Sequence, residues 1–141
     1  MSYFSSAVEV DCFVGGLLRM AAVDPQAGPL LAAASLTLTL RCEDPDASLT
    51  ISMFDPVTVF WNVSTQVPDV ELACRADLLD RYLRGQFSLL DGLADGRVQA
   101  RGRVSKVLKV LPALEPLFPV YRRLVAAKDR ADRGAAALAA H

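Results

Sequence analysis

Strict alternation of apolar and polar residues in the segment 35–42 is the sequence feature that most constrains the fold. Leucines at positions 36, 38 and 40 alternate with serine, threonine and arginine. A period of two predicts a β-strand with one buried and one polar face. The turn-forming residues 43–46 follow, and the alternation resumes over residues 49–53. The two runs therefore predict an antiparallel hairpin.

The rest of the chain predicts further strands and flanking helices. Residues 57–63 are apolar at nearly every position, which predicts a third strand that is covered on both faces or lines a hole. The predicted elements are a helical N-terminal segment 6–34, strands within 35–75 and 97–102, and helices within 77–93 and 103–133. This order predicts an α+β fold, and a length of 141 residues predicts one domain with one core, residues 1–141.

The residues that most enzymes and metal sites need are scarce. The one histidine is His141, the last residue, so we expect neither a Ser-His-Asp triad nor a His-ligated metal. Cys12, Cys42 and Cys74 are far apart, which is typical of small buried hydrophobic residues and not of disulfides or a zinc site. Glycine-rich phosphate loops are lacking as well. We predict no catalytic residue, no metal and no cofactor.

Composition and hydropathy predict a folded chain with more apolar residues than a small core needs. Hydrophobic residues make up 52% of the chain and mean hydropathy is +0.29, which leaves room for an internal cavity or an exposed apolar patch. The longest uncharged run, residues 25–40, contains two prolines and a glycine, so we expect no membrane-spanning helix. The first residues lack the basic and apolar pattern of a signal peptide, and we expect a cytoplasmic protein.

Positive charge is concentrated in the last third of the chain. Residues 1–100 hold 6 basic and 13 acidic side chains, whereas residues 101–141 hold 9 basic and 3 acidic ones. This pattern predicts either a solvated helix face or contact of the C-terminal helices with anionic lipid or an acidic carrier protein. The residues concerned are Arg103, Lys106, Lys109, Arg122 and Arg123. We expect no nucleic-acid binding, because aromatic platforms hardly interleave with these basic residues.

A succession of motifs in the second half of the chain resembles a known family. Residues 69–72 (Asp-Val-Glu-Leu) lead into residues 76–85, which end in Arg-Tyr-Leu-Arg-Gly; a helix and turn over 87–96 and a strand over 97–102 follow. Over roughly residues 30–120 this pattern resembles the sterol carrier protein type-two, or sterol-binding, domain. The resemblance implies a curved, mainly antiparallel five-stranded sheet that helices cover on one face and that encloses an apolar tunnel.

The resemblance implies that large apolar residues of the sheet and helices are the candidate ligand-binding residues. They are Met53, Phe54, Phe60, Trp61, Leu83, Phe87, Leu90, Leu108, Leu111, Leu117, Phe118 and Tyr121. Ordinary core packing is the alternative for each of them. Trp61 and Asn62 are the expected polar contacts for a ligand hydroxyl or carbonyl.

Two functions remain open from the sequence. The first is a protein that binds and carries or presents a lipid, sterol, fatty acyl or polyketide-like molecule, as the resemblance implies. The alternative is a cofactor-free cyclase or isomerase of a polyketide or polyene intermediate in a biosynthetic pathway, with Asp55, Asp91 or Tyr82 as its acid. Twelve arginines against three lysines suit a bacterial protein from a GC-rich genome.

Overall fold

A single five-stranded sheet forms the frame of the protein. The computed structural model describes residues 2–61 and 67–139. The strands are β1 (Leu36–Glu43), β2 (Ala47–Met53), β3 (Thr58–Trp61), β4 (Val70–Arg75) and β5 (Gln99–Gly102). Their order in the sheet is β3-β2-β1-β4-β5, and β1 and β4 form the one parallel pair among these strands. The predicted hairpin and the mainly antiparallel α+β architecture are confirmed.

Helices precede the sheet and follow its fourth and fifth strands. The first group is α1 (Ala7–Val10), a π-helical turn (Asp11–Gly15), α2 (Gly16–Val23) and α3 (Ala27–Ala33). The second group is α4 (Ala76–Leu83), α5 (Leu89–Asp95), α6 (Val104–Val110), a 3-10 helix (Leu111–Leu117) and α7 (Phe118–Ala139). The last helix therefore continues beyond residue 133, where the sequence pattern placed its end.

Local sequence explains where several helices begin and end. The hydroxyl oxygens of Ser6 and Ser88 accept hydrogen bonds from the backbone N–H of Glu9 and Asp91, each at 3.3 Å, as N-terminal serine caps do. Helix α4 ends before Gly85, whose φ is +80°, a conformation that glycine adopts without steric cost. The prolines of the segment 111–117 remove backbone donors, so this part of the chain forms a 3-10 helix between α6 and α7.

The two faces of the sheet differ in polarity, as the alternating sequence predicts. Leu38 is opposite Ile51 on β2 and Val70 on β4, and all three side chains are buried under the helices. On the opposite face the hydroxyl oxygens of Thr39 and Thr50 lie 3.0 Å apart. Because the period of a strand is two, helices cover the first face and the second face stays polar.

Strand β3 lies at one edge of the sheet and is not covered on both faces. Among the described strands it pairs with β2 alone, and Phe60 and Trp61 are 43% and 37% exposed. The prediction of a doubly covered strand is therefore wrong for residues 58–61. An apolar run does not distinguish an edge strand from a central one, since the number of neighbouring strands is a tertiary property. Asn62 and Val63 lie outside the described residues.

A buried polar network joins the N-terminal segment, α4 and α7. The Asp80 carboxylate is 5% exposed and accepts hydrogen bonds from the Tyr121 hydroxyl at 2.6 Å and from Arg84 Nε at 3.0 Å. Two other nitrogens of Arg84 donate to Asp129 at 3.0 and 3.1 Å, and the Tyr3 hydroxyl also donates to Asp129. Over the described residues, every buried side-chain nitrogen and oxygen has a partner. The network therefore stabilises the position of α4 against α7.

Candidate functional site

An apolar cavity lies between the covered face of the sheet and the helices. Its volume is about 60 Å³. The residues around it come from both helical groups and from the three central strands. They are Val14, Leu18, Leu31, Leu38, Leu40, Ile51, Met53, Leu72, Cys74, Leu78, Leu79, Tyr82, Leu83, Phe87, Leu89, Val98, Leu111 and Leu114. The phenol of Tyr82 and the thiol of Cys74 are the polar side-chain groups in this set, so none of the described lining residues is charged.

Regular spacing in the sequence brings these side chains together. Alternate residues of β1, β2 and β4 supply the floor, because they share one face of the sheet. On α4, Leu78, Leu79, Tyr82 and Leu83 face the cavity, while Asp80 lies on the other side of the helix in the polar network. The helix α4 is therefore apolar toward the cavity and polar toward α7.

Burial keeps both polar side chains of the cavity neutral near pH 7. Desolvation, followed by the negative charge of Glu115, raises the pKa of the Tyr82 phenol to about 12. Desolvation, followed by the charge of Glu43, raises the pKa of the Cys74 thiol to about 11. A phenol and a thiol with such pKa values hold their protons at neutral pH. The cavity thus offers an uncharged lining to any molecule inside it.

A surface groove lies beside the cavity, between the α4–α5 connection and the segment formed by α6 and the 3-10 helix. Its volume is about 330 Å³. It is lined by Tyr82, Gly85, Phe87, Ser88, Leu89, Leu90, Leu108, Leu111, Pro112, Glu115 and Phe118. Four of these residues also line the cavity: Tyr82, Phe87, Leu89 and Leu111. These four, named here the shared wall, separate the groove from the interior.

The structure distributes the twelve predicted ligand-binding residues over four places. Those around the cavity are Met53, Leu83, Phe87 and Leu111. Those that line the groove without reaching the cavity are Leu90, Leu108 and Phe118. Those that lie deeper or elsewhere in the helical layer are Leu117, which lines a second groove, and Tyr121, which belongs to the polar network. Those that lie partly exposed on or next to the edge strand β3 are Phe54, Phe60 and Trp61.

The predicted ligand-binding residues did not include those that line the cavity from the N-terminal helices and from strand β1. Val14, Leu18 and Leu31 close it from the N-terminal helices, and Leu38 and Leu40 belong to its floor. The alternation of β1 marked the two leucines as buried. It carried no signal that they face a cavity, because buried core and cavity lining have the same apolar pattern.

The other candidate residues lie outside the cavity. Asp55 and Asp91 are exposed to solvent and belong to turn and helix N-terminal segments. Cys12 is exposed, so its interpretation as a buried hydrophobic residue is wrong, while Cys42 is buried. The basic residues 103, 106, 109, 122 and 123 are all exposed, and Arg122 donates to the Arg84 carbonyl at 3.0 Å. The part of the chain that the structure describes contains no cluster suited to a metal ion and no helix long and apolar enough to cross a membrane.

Comparison with solved structures places the fold among sterol carrier protein 2 domains. The chain matches sterol carrier protein 2 from Yarrowia lipolytica, in its apo form, with a TM-score of 0.59 and 16% identity, over 82% of this chain and 93% of that one. It matches sterol carrier protein domain 2 of Helicoverpa armigera with a TM-score of 0.65 and 12% identity, over 76% and 89%.

A third match shows the same fold in a protein with another name. The ubiquinone synthesis protein UbiJ-SCP2 aligns with a TM-score of 0.58 and 16% identity, over 77% of this chain and 89% of that one. Neither protein-family models nor curated proteins give a match. The resemblance to sterol carrier protein 2 domains is therefore confirmed at the level of the fold.

Proposed function

We propose that this protein binds and carries or presents an apolar small molecule, such as a lipid, sterol, fatty acyl or polyketide-like compound. The cavity is the observation that carries the proposal: it is a residual apolar void whose described lining residues are all uncharged, in a fold whose neighbours include proteins named sterol carriers. Apolar concave sites with few polar groups are the usual form of small-molecule binding sites.

The small volume of the cavity implies that the ligand-bound protein differs from the structure described. Ligand pockets commonly measure about 300–1,000 Å³, whereas this cavity measures about 60 Å³. Side chains of the lining must therefore move outward when a ligand enters. A ligand that buries about 400 Å² of apolar surface would gain roughly 10 kcal/mol before the costs of association and rearrangement. Micromolar affinity is compatible with these magnitudes.

The arrangement favours binding over the cyclase or isomerase alternative. Of the three candidate acids, Tyr82 lines the cavity, while Asp55 and Asp91 are exposed and lie outside it. A phenol whose pKa is raised to about 12 is a weak acid at neutral pH. An uncharged apolar lining is suited to holding a molecule, and the geometry supplies little for proton transfer.

The proposal is tested by thermal unfolding of delipidated protein titrated with palmitic acid, cholesterol and an anthracene-labelled fatty acid. Trp61 lies outside the cavity, so the melting temperature is a better readout than intrinsic fluorescence. A ligand at a concentration 100 times its Kd stabilises the folded state by about 2.7 kcal/mol. We expect such a stabilisation with at least one probe, and no change with any probe would contradict the proposal.

A matched pair of variants locates the binding site. Leu79→Phe adds volume to the cavity lining, whereas Leu124→Phe makes the same change at a half-buried position of α7 outside the cavity. The first variant should lose the ligand-induced stabilisation because the void is filled, and the second should keep it. Equal responses of the two variants would place binding elsewhere on the protein.

A further inference from the structure

We propose that the groove beside the α4–α5 connection is the entrance of the cavity, and that the shared wall moves outward to admit an apolar ligand. This inference rests on the proposed function and adds the route by which a ligand reaches the site. It assigns a role to Leu90, Leu108 and Phe118, which line the groove but not the cavity.

The first argument is continuity between the groove and the cavity. The shared wall of Tyr82, Phe87, Leu89 and Leu111 is one side chain thick, since each residue lines both spaces. Three other surface grooves, beside α3, at the β1–β2 turn and on the polar sheet face, share none of their described lining residues with the cavity. When the side chains of the shared wall move outward, the groove becomes continuous with the cavity. Moving the side chains that line the other three grooves does not open the cavity in this way.

The second argument is the difference in burial between the shared wall and the floor of the cavity. All four side chains of the shared wall are partly exposed, so they have solvent on one side into which they can turn. Floor residues such as Leu38 and Ile51 are each 2% exposed and are enclosed on every side. Close-packed interiors resist displacement, whereas partly exposed side chains change rotamer on the picosecond to nanosecond timescale.

The third argument is the packing of Phe87 within the shared wall. Gly92 of α5 leaves the space that its ring occupies, because a Cβ atom at position 92 would lie 2.5 Å from Phe87 Cζ. On another side the guanidinium of Arg97 lies 4.9 Å from the ring centroid. Phe87 therefore closes the cavity through contacts with the middle of α5 and with one exposed cation. Neither contact involves the sheet, so the ring can move away without opening it.

The rim of the groove is suited to an amphiphile. Ser88 and Glu115 lie among its apolar residues and are exposed to water. While the hydrocarbon part of a ligand passes the shared wall, its polar end can stay hydrated at this rim. Further along the groove, the Tyr82 and Phe118 rings meet edge to face with centroids 5.4 Å apart, which gives the passing chain an aromatic surface.

The entrance is tested by plugging the groove without changing the cavity. Leu108→Trp enlarges a residue of the groove that does not line the cavity, and Ala113→Trp makes a similar enlargement in the groove beside α3. Stopped-flow binding and release of the anthracene-labelled fatty acid is measured for the wild type and both variants, with melting temperatures to show that each variant is folded.

We expect Leu108→Trp to slow association and dissociation by the same factor, about tenfold, since an obstacle on the route raises the barrier without changing the end states. Ala113→Trp should keep wild-type rates. Unchanged rates in Leu108→Trp, slowing in Ala113→Trp alone, or a changed Kd in Leu108→Trp would each overturn the entrance. Absence of equilibrium binding of palmitic acid, cholesterol and the labelled fatty acid to the wild type would refute the proposed function itself, and the entrance with it.

Discussion

The two sides of helix α4 face parts of the interior that differ in polarity. Toward the sheet, Leu79 and Leu83 border an apolar void of about 60 Å³. Toward α7, Asp80 and Arg84 take part in directional hydrogen bonds with Tyr121 and Asp129. Apolar contacts are non-directional and tolerate displacement, whereas a buried polar network loses its partners when one member moves. One helix can therefore stay anchored on one side while its other side adapts to a ligand.

The comparison predicts that truncating a side chain on the polar side of α4 lowers the free energy of unfolding more than truncating one on the cavity side. Asp80→Ala leaves the Tyr121 hydroxyl without its acceptor and removes one carboxylate from Arg84. Breaking a buried pair by removing one partner costs about 3–5 kcal/mol. We expect a loss of this order in the free energy of unfolding, measured with urea.

An exposed ion pair on α7 provides the control for this variant. Asp132→Ala removes a partner of Lys128 at a carboxylate that is 51% exposed, where such pairs contribute roughly 0–1 kcal/mol. If Asp80→Ala cost no more than Asp132→Ala, the network would not be what stabilises α4 against α7.

On the cavity side, Leu83→Ala should destabilise the free protein and leave it responsive to ligand. The residue is 3% exposed and lines the cavity, and such truncations cost about 2–5 kcal/mol, including the enlarged void. An apolar ligand that fills the extra space should restore part of this loss, as thermal unfolding with palmitic acid would show. Leu138→Ala, at a residue that is 78% exposed, should change the free energy of unfolding by less than about 0.5 kcal/mol. A ligand that stabilised Leu83→Ala less than the wild type would contradict an adaptable cavity.

The smallest expected effect is a pH dependence of stability that arises from the polar network on the α7 side of α4 and not from the cavity side. Hydrogen bonds from Arg84, and then from Tyr3, lower the pKa of Asp129 from its ordinary value of 3.8. Because the folded-state pKa is the lower one, this carboxylate stabilises the fold above pH 3.8 and the contribution is lost as pH falls further. Urea unfolding between pH 7 and pH 3 should show this loss.

The variant Asp129→Asn separates this contribution from those of other carboxylates. It cannot titrate at residue 129, so its stability should fall less steeply below pH 4 than that of the wild type. Equal slopes for both proteins would exclude Asp129 as a source of the acid sensitivity. Ligand binding in the uncharged cavity should vary little over the range in which Tyr82 and Cys74 stay protonated.

The sequence predicted the secondary structure better than it predicted the site. The alternation of β1 and β2 depends on local chemistry, and the structure confirms the hairpin that it predicts. The serine cap at Ser88 and the glycine that follows α4 are local features of the same kind. Phe60 and Trp61 were predicted to bind ligand because they are large and apolar. In the structure they lie at the sheet edge with much of their surface exposed. Size and apolarity do not specify which side of a strand another element covers.

The sequence by itself determined that the chain has a sheet with one apolar face, helices to cover it and scarce catalytic side chains, because these follow from periodicity and composition. Only the tertiary structure decided that α4 joins an apolar cavity to a polar network, and that Phe87 and Leu111 lie between cavity and groove. The void exists where side chains from distant segments fail to fill the space between them. Packing volume of that kind is a property of the assembled core and has no signature in any one segment.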